Sequence, residues 1–237
     1  MKPIRKPWFN RIKAIIRLFV RRTGFITLGD EIEEGSIIVC NHSGAGAPLA
    51  WELYSDCQFR FWGTHEMNAG LGSVYRYLVD VYYVQKKKWN RFFASLFSLI
   101  AAPFATMFYR GISLISTYRD TRFRQSLAES FLTLSRGESL VIFPEDSSDG
   151  YHDHLTSYHA GVVLLMSLCL KKGMDRKLYV AYYRRKERVC VIAESVKLSE
   201  LMAGNASRDE IAERLCDACN ALGRLDTDTL LERERAS

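Results

Sequence analysis

Hydrophobic positions along the chain follow two patterns, short apolar runs and longer stretches with helical spacing. Short runs are typical of strands buried in a sheet, and they predict strands at 36–40, 59–62, 81–84, 139–143, 178–183 and 189–193. Apolar residues that recur every three or four positions indicate helices, and these are predicted at 8–20, 49–53, 123–134, 158–170 and 207–223. Because strands alternate with helices, we predict an α/β fold, with a mostly parallel mixed sheet flanked by helices.

The N-terminal segment combines helical spacing with a strong positive charge. Residues 1–22 hold eight basic side chains and no acidic one, although the net charge of the whole chain is only +6. Basic residues beside an apolar face are typical of a helix that lies in a membrane interface. We expect such a helix over 1–23; a helix packed on the domain, with a solvated basic face, is the alternative. Since the basic excess is confined to this segment, nucleic acid is not an expected partner.

A second apolar stretch runs over residues 92–109, which carry no charge and lie between Arg91 and Arg110. Its length meets the lower limit of about 17 residues for a helix that spans a bilayer. Pro103 and several hydroxyl residues interrupt it, however. We therefore expect a helical hairpin that is buried or dips into a membrane, in preference to a true span or a plain core helix.

The remaining composition suits one large domain. The chain has 237 residues, of which 48% are hydrophobic, and we place the domain at 24–230, followed by a charged tail at 231–237. Cys216 and Cys219 form a Cys-x-x-Cys pair within a predicted helix, so we expect buried reduced thiols there. No cleavable signal is apparent at the N-terminus, which favours the cytoplasmic side of a membrane.

Histidines and aspartates are concentrated in one loop, where they raise the question of a metal site. The residues are Asp149, His152, Asp153, His154 and His159. Their spacing matches no compact metal motif. We expect a solvated or substrate-facing loop and no metal.

Two strand ends carry the residues that point to chemistry. Asn41 and His42 follow the strand at 36–40, and Pro144, Glu145 and Asp146 follow the strand at 139–143. Ligands bind beyond the carboxyl ends of strands in open α/β sheets. We therefore expect the histidine and the carboxylates to share one site.

In this order and spacing, the two strand ends resemble the lysophospholipid (glycerolipid) acyltransferase family. That family has Asn-His, four residues, Asp and often Pro, and the chain has Asn41-His42 followed by Ala47-Pro48. Three more family motifs, Phe-Pro-Glu-Gly, Phe-x-x-Lys-x-Glu-Leu and Phe-Lys-x-Gly, are similar to residues 143–146, 61–67 and 158–161. The resemblance covers about residues 12–195.

The resemblance implies a peripheral or monotopic membrane enzyme that transfers a fatty acyl group to a lipid or polyol hydroxyl, such as that of a lysophospholipid. The donor would be acyl-coenzyme A or acyl carrier protein, without a further cofactor. His42 would act as general base. The substrate would contact a group of residues drawn from the motifs: Asn41, His65, Pro144, Glu145 and His159.

The family also has a basic residue at the end of a strand some 40–45 residues beyond the histidine. Lys86 and Lys87, after the run at 81–84, have this position, whereas Arg119 lies further along. We favour the two lysines, which makes about 89–117 an apolar insertion. Either group would meet a substrate phosphate, lysine as a point charge and arginine as a bidentate fork.

The chain departs from the family where a carboxylate would orient the histidine, because that position is Ala47. Loss of an orienting aspartate lowers turnover about 10⁴-fold in the serine proteases. Asp146 and Glu66, and after them Glu52, are the substitutes that we expect. Asp146 also replaces the glycine of Phe-Pro-Glu-Gly, which weakens the case for a phosphate-bearing acceptor. An acyltransferase with an unusual acceptor and a catalytically silent lipid-binding protein are therefore the alternatives.

Overall fold

The computed structural model describes residues 5–226 and confirms the α/β fold. Its strands are β1 (Gly24–Thr27), β2 (Ile37–Cys40), β3 (Phe59–Thr64), β4 (Ile115–Thr117), β5 (Ser139–Ile142), β6 (Lys177–Arg184), β7 (Val189–Ile192) and β8 (Val196–Lys197). Its α-helices are α1 (Pro7–Phe19), α2 (Gly46–Tyr54), α3 (Leu71–Arg76), α4 (Arg91–Ile112), α5 (Phe123–Ser135), α6 (Gly161–Lys171), α7 (Leu198–Leu201) and α8 (Arg208–Gly223). The charged tail predicted at 231–237 lies outside the described residues.

The eight strands form one mixed sheet in the order β1-β7-β6-β2-β5-β3-β4, and β8 pairs with β6. Strand β2 lies between β5 and β6 and is parallel to both. The strands predicted at 178–183 and 189–193 correspond to β6 and β7, which are antiparallel neighbours. Strands β1, β4 and β8 were not predicted, since they are two to four residues long and have no clear apolar run.

The strands inside the sheet are buried on both faces. Every residue of β2, β5 and β7 is buried, which explains why continuous apolar runs predicted these strands. Helices α6 and α8 pack into the apolar cluster on one side, and α1 and α2 contribute to the cluster on the other. Helix α8 begins with a capping box, in which Ser207 and Glu210 bond reciprocally. Cys216 and Cys219 are buried and reduced, as predicted.

The strand predicted at 81–84 is wrong. Residues Tyr77–Lys86 form a π-helical segment that continues α3. Its buried side chains, Leu78, Val79 and Tyr83, share an apolar cluster with Ala94 and Ala102 of α4. The β-branched residues of this run favour a strand locally, but packing against α4 decides the conformation.

The helical hairpin predicted at 92–109 is also wrong, because α4 is one continuous helix of 22 residues. Asn90 begins it by accepting a hydrogen bond from the backbone N–H of Phe92 at 2.8 Å. Pro103 lies within the helix, and Thr106 Oγ1 donates to the carbonyl of Ala102 nearby at 2.7 Å. Only 22% of an apolar 18-residue stretch of this helix is buried, which is little for a plain core helix. Length and composition suit a membrane span.

Helix α1 is docked on the domain. Phe9 is fully buried, and its ring lies where a side chain on Gly111 of α4 would be, 2.0 Å from an added Cβ atom. Arg5 and Lys13 bind the carboxylate of Glu52 on α2 at 2.6 and 3.0 Å. Part of the predicted basic face is therefore used to hold α1 in place, while Leu18 and Phe19 at its C-terminal end remain exposed.

Candidate active site

The site is built around the turn that follows β2. Asn41 is buried, and its side-chain amide bonds both backbone groups of Tyr183 on β6, at 2.6 and 3.1 Å. Asn41 therefore ties the end of β2 to β6, and its predicted contact with a substrate stays a prediction. Beyond it, Ser43 and Gly44 both have positive φ angles, 44° and 67°. This reversal ends the strand and leaves His42 at its carboxyl end.

Glu145 joins the second strand end to the first. Its carboxylate accepts a hydrogen bond from the backbone N–H of His42 at 2.7 Å. The residue is only 8% exposed, and this burial raises the pKa of the carboxyl group to about 7, although the His42 N–H and the nearby Lys86 charge oppose the rise. The predicted meeting of His42 and Glu145 is therefore real, but it involves the histidine backbone and not its ring.

The imidazole of His42 is held between two aromatic rings. Phe143 lies 5.0 Å away and Tyr151 stacks on it at 5.1 Å, measured between ring centroids. Nδ1 is buried and has no hydrogen-bond partner among the described residues. Burial, and secondarily the charge of Lys86, lowers the pKa of the imidazole to about 4. The ring is therefore neutral at pH 7.

Lys86 approaches the site from the end of the π-helical segment. Its ammonium group donates to Ser147 Oγ at 2.7 Å and to the Tyr151 hydroxyl at 3.3 Å, and it lies 4.9 Å from the centre of the Tyr151 ring. Burial lowers the pKa of Lys86. Lys87 reaches the same ring at 5.9 Å. Both predicted lysines are thus placed beside the histidine, although they end a helical segment and not a strand.

Arg119, unlike the two lysines, follows a strand, because β4 ends two residues before it. Its positive charge contributes to the lowered pKa values of both Lys86 and Asp146. The preference for the two lysines as the strand-end basic group is therefore wrong in its local structure. The lysines and the arginine nevertheless lie around one site.

The three predicted substitute carboxylates are all engaged elsewhere. Glu52 is bound by Arg5 and Lys13. Glu66 accepts from the Thr64 hydroxyl and lies 3.1 Å from His65 Nδ1. Asp146 accepts from the backbone N–H of Ser148 at 3.0 Å, and this bond is the main reason that the pKa of its carboxyl group is lowered.

No carboxylate within residues 5–226 bonds to the His42 ring, so the prediction of a recruited orienting group is not met. The physical reason is that each candidate carboxylate already accepts hydrogen bonds from other donors. At position 47, Ala47 is fully buried in an apolar cluster.

The other predicted substrate residues lie along the loops that surround the site. His65 stacks on Tyr118 at 5.0 Å. The backbone N–H of His159 donates to the carbonyl of Pro144 at 2.7 Å, beside a single bridge between Glu145 and Tyr158. These bonds fix the loop after β5 against the start of α6.

Sequence reasoning missed two residues of the site, Tyr151 and Arg185. Tyr151 stacks on the His42 ring, and Arg185, in the turn between β6 and β7, lines a small pocket together with Tyr151. Neither belongs to a recognisable motif, and the only signal is that each follows a strand on the side where ligands bind. The loop histidines and aspartates form no group with metal-binding geometry in the described part of the chain.

No protein-family model matches the chain, and a comparison with curated proteins finds no match. The resemblance to the acyltransferases therefore rests on the four short motifs and on their placement in the fold. Three of them lie at the ends of β2, β3 and β5, and the fourth leads into α6.

Proposed function

We propose that the protein is a membrane-associated acyltransferase that moves a fatty acyl group from a thioester donor to the hydroxyl of a lipid or polyol. The observation that carries this proposal is the position of His42. The histidine is half-buried at the carboxyl end of the central strand β2, beside Glu145 at the end of β5. That edge is where ligands bind in open α/β sheets.

In the proposed reaction, neutral His42 takes the proton of the acceptor hydroxyl while the hydroxyl oxygen attacks the thioester carbonyl carbon. The carbon–sulfur bond then breaks, and the thiol leaves with the proton returned by the imidazole. The low pKa keeps the ring unprotonated at pH 7, the form that a base requires. Glu145 acts as a positioning residue, because its carboxylate holds the backbone of the histidine.

The outer face of α4 supports a membrane location. Between Arg91 and Arg110, this helix exposes large apolar side chains, among them Phe92, Phe93, Leu99, Ile100 and Phe104. A contiguous apolar surface of this size is typical of a site that meets lipid or protein. Exposed Leu18 and Phe19 of α1 add to the apolar surface, and α1 contacts α4 through Phe9. We propose that both helices face the cytoplasmic leaflet.

The test is acyl transfer from labelled acyl-coenzyme A and acyl carrier protein to a panel of lysolipids and polyols on vesicles. His42→Ala should lower the rate at least about 10²-fold, the usual contribution of a general base. The backbone N–H that binds Glu145 remains in this variant, so the fold should be preserved. His154→Ala, which changes an exposed histidine of the loop after β5, is the matched control. A His42→Ala variant that keeps the wild-type rate would remove His42 from the mechanism.

A catalytically silent lipid-binding protein is the second candidate, and one observation favours it. Nδ1 of His42 has no hydrogen-bond partner in the described chain, so no carboxylate there stabilises an imidazolium. In this case the wild type binds lipid without turnover on any acceptor, and His42→Ala leaves lipid affinity unchanged. Ala47→Asp separates the two: an active enzyme should gain rate when a carboxylate orients the ring, whereas a binding protein should only lose stability.

A further inference from the structure

The stack of Tyr151 on His42 is a contact that none of the four motifs supplies. The two ring centroids lie 5.1 Å apart, and the angle between the ring planes is 30°, within the range of stacked aromatic pairs. Phe143, which belongs to the motif at 143–146, is tilted by 56° against the same imidazole. Rotation of the imidazole away from Tyr151 loses the contact between the flat faces, so the stack restricts the imidazole to one orientation.

Tyr151 is itself held in place by the end of the π-helical segment. Its hydroxyl accepts a hydrogen bond from the ammonium group of Lys86 at 3.3 Å. The same ammonium group donates to Ser147 Oγ at 2.7 Å, and Gln85 Nε2 donates to the carbonyl of Ser148 at 3.3 Å. The loop that carries Tyr151 is therefore tied to this segment by three hydrogen bonds, none of which involves the histidine.

The backbone on either side of Tyr151 is also restrained. Gly150 has a φ angle of 119°, and a Cβ atom at this position would lie 3.2 Å from the backbone carbonyl oxygen of Lys86. Glycine adopts such a conformation without strain, and it lets the two backbones approach each other. Beyond Tyr151, the carbonyl of Asp153 accepts a hydrogen bond from the Tyr182 hydroxyl. These contacts fix the Tyr151 ring independently of the ring that it covers.

We propose that Tyr151 is a positioning residue, which orients the His42 imidazole in place of the carboxylate that the family motif implies. The inference rests on the proposed function, because the orientation of the ring matters for a base that must meet an acceptor hydroxyl. Ala47 cannot orient the imidazole, and no carboxylate within residues 5–226 bonds to it. Nδ1 is the buried ring nitrogen, so the stacked ring leaves Nε2 to take the proton.

Tyr151 replaces only part of the role of a carboxylate. An orienting aspartate also stabilises the imidazolium, and its loss lowers turnover about 10⁴-fold in the serine proteases. The face of an aromatic ring attracts a cation as well, but Lys86 and Lys87 already lie 4.9 and 5.9 Å from the centre of the Tyr151 ring. Tyr151 therefore contributes orientation, and its removal should cost less than the removal of an aspartate.

The test compares Tyr151→Leu with Tyr151→Phe in the full chain. Leucine has no flat face, whereas phenylalanine keeps the ring and loses only the hydroxyl, and the site is only partly buried, so both variants should fold. Acyl transfer is measured as above, and NMR follows the ring signals of the five histidines, among which His42→Ala identifies those of His42. Tyr118→Leu is the matched control for the NMR, because it removes the similar stack on His65 at 5.0 Å.

Tyr151→Leu should lower kcat by about tenfold or more without a change in KM, since a misplacement of about 1 Å costs about 10²-fold. The ring-current shift that Tyr151 imposes on the His42 ring protons should disappear in the same variant. Tyr151→Phe should retain most of the rate and of the shift. Tyr118→Leu should leave the His42 signals unchanged.

A Tyr151→Leu variant that keeps the wild-type kcat would overturn the inference, and so would a higher kcat, because Tyr151 would then only cover the base. Unchanged His42 signals in this variant would overturn it as well, whatever the rate. A wild type that transfers no acyl group to any acceptor would contradict the proposed function instead. The NMR comparison of Tyr151→Leu with Tyr151→Phe would then still decide whether Tyr151 holds the imidazole.

Discussion

Helices α4 and α8 belong to the same domain, but their polarity is opposite. Helix α8 buries Ile211 and Leu215 against the sheet and turns charged residues to the solvent. From Ala94 to Thr106, helix α4 buries a small residue at every fourth position and turns large apolar ones outward; these buried residues are Ala94, Ser98, Ala102 and Thr106. Small residues at the contact and large apolar residues outside are typical of helices in lipid. The two helices therefore present opposite outer surfaces, polar for α8 and apolar for α4, and the apolar surface is the one that the proposed membrane contact uses.

The largest expected effect comes from placing the same charge on the two helices. Leu215→Glu on α8 puts a carboxylate into the core and should reduce the free energy of unfolding by at least about 3–5 kcal/mol. Leu99→Glu on α4, where the leucine is 62% exposed, should change it by no more than about 0.5 kcal/mol. Denaturant titration of both variants checks the contrast. Equal destabilisation would mean that α4 is part of the folding core.

The outer face of α4 should dominate the affinity for vesicles. Leu99→Glu removes about 1.5–3 kcal/mol of apolar transfer energy, so binding to vesicles of phosphatidylcholine and phosphatidylglycerol should fall by at least about tenfold. Leu132→Glu on α5 replaces a leucine that is 51% exposed and should leave binding unchanged. Co-sedimentation measures both. If the two variants bind equally, the apolar face of α4 is not the membrane contact.

The docking of α1 on α4 is best tested by a single substitution, because deleting α1 would also remove the buried Phe9 ring. Gly111→Ala adds a Cβ atom 2.0 Å from that ring and should destabilise the protein by about 1–3 kcal/mol. Gly72→Ala in α3 is the control, since nothing lies within 4 Å of its added Cβ, and alanine should stabilise a helix by about 0.5–1 kcal/mol there. Opposite signs in thermal unfolding are the expected result. A stabilised Gly111→Ala variant would show that α1 is not docked in this way.

The smallest expected effect concerns Glu145, which lies near Lys86 before α4 and near Cys216 of α8. Its pKa is raised in the folded protein to about 7 from 4.5. The folded state therefore holds the proton more tightly, and the stability contributed by the protonated carboxyl is lost as the pH rises from about 4.5 to 7.

Glu145→Gln keeps an acceptor for the His42 N–H and removes this titration. Between pH 5 and pH 8 the variant should gain about 1–2 kcal/mol relative to the wild type. Comparing the wild type with Glu145→Gln isolates the contribution of the Glu145 carboxyl group to stability. The lowered pKa of His42 makes stability rise with pH, but it does so in both proteins and cancels in the difference. A constant difference between the two proteins across this range would refute the buried-carboxyl assignment.

Several features of this protein were determined by the sequence itself. Continuous apolar runs specified β2, β5, β6 and β7, because a strand covered on both faces has no polar positions to break the pattern. The capping box marked the start of α8, and the order of the Asn-His and Pro-Glu motifs placed two strand ends at one edge of the sheet. These are local signals, and each depends on residues close together in the chain.

Other features were decided only by tertiary structure. Residues 81–84 favour a strand locally, but their burial against α4 makes them helical. The stretch at 92–109 is one helix because neighbouring elements meet its small residues and leave its large ones outside. Which carboxylate binds which donor was likewise undetermined, since Glu52 meets Arg5 and Lys13 across more than thirty residues of chain. Long-range pairing of this kind depends on distances that no local pattern encodes, and it left the His42 ring without the partner that the motif implied.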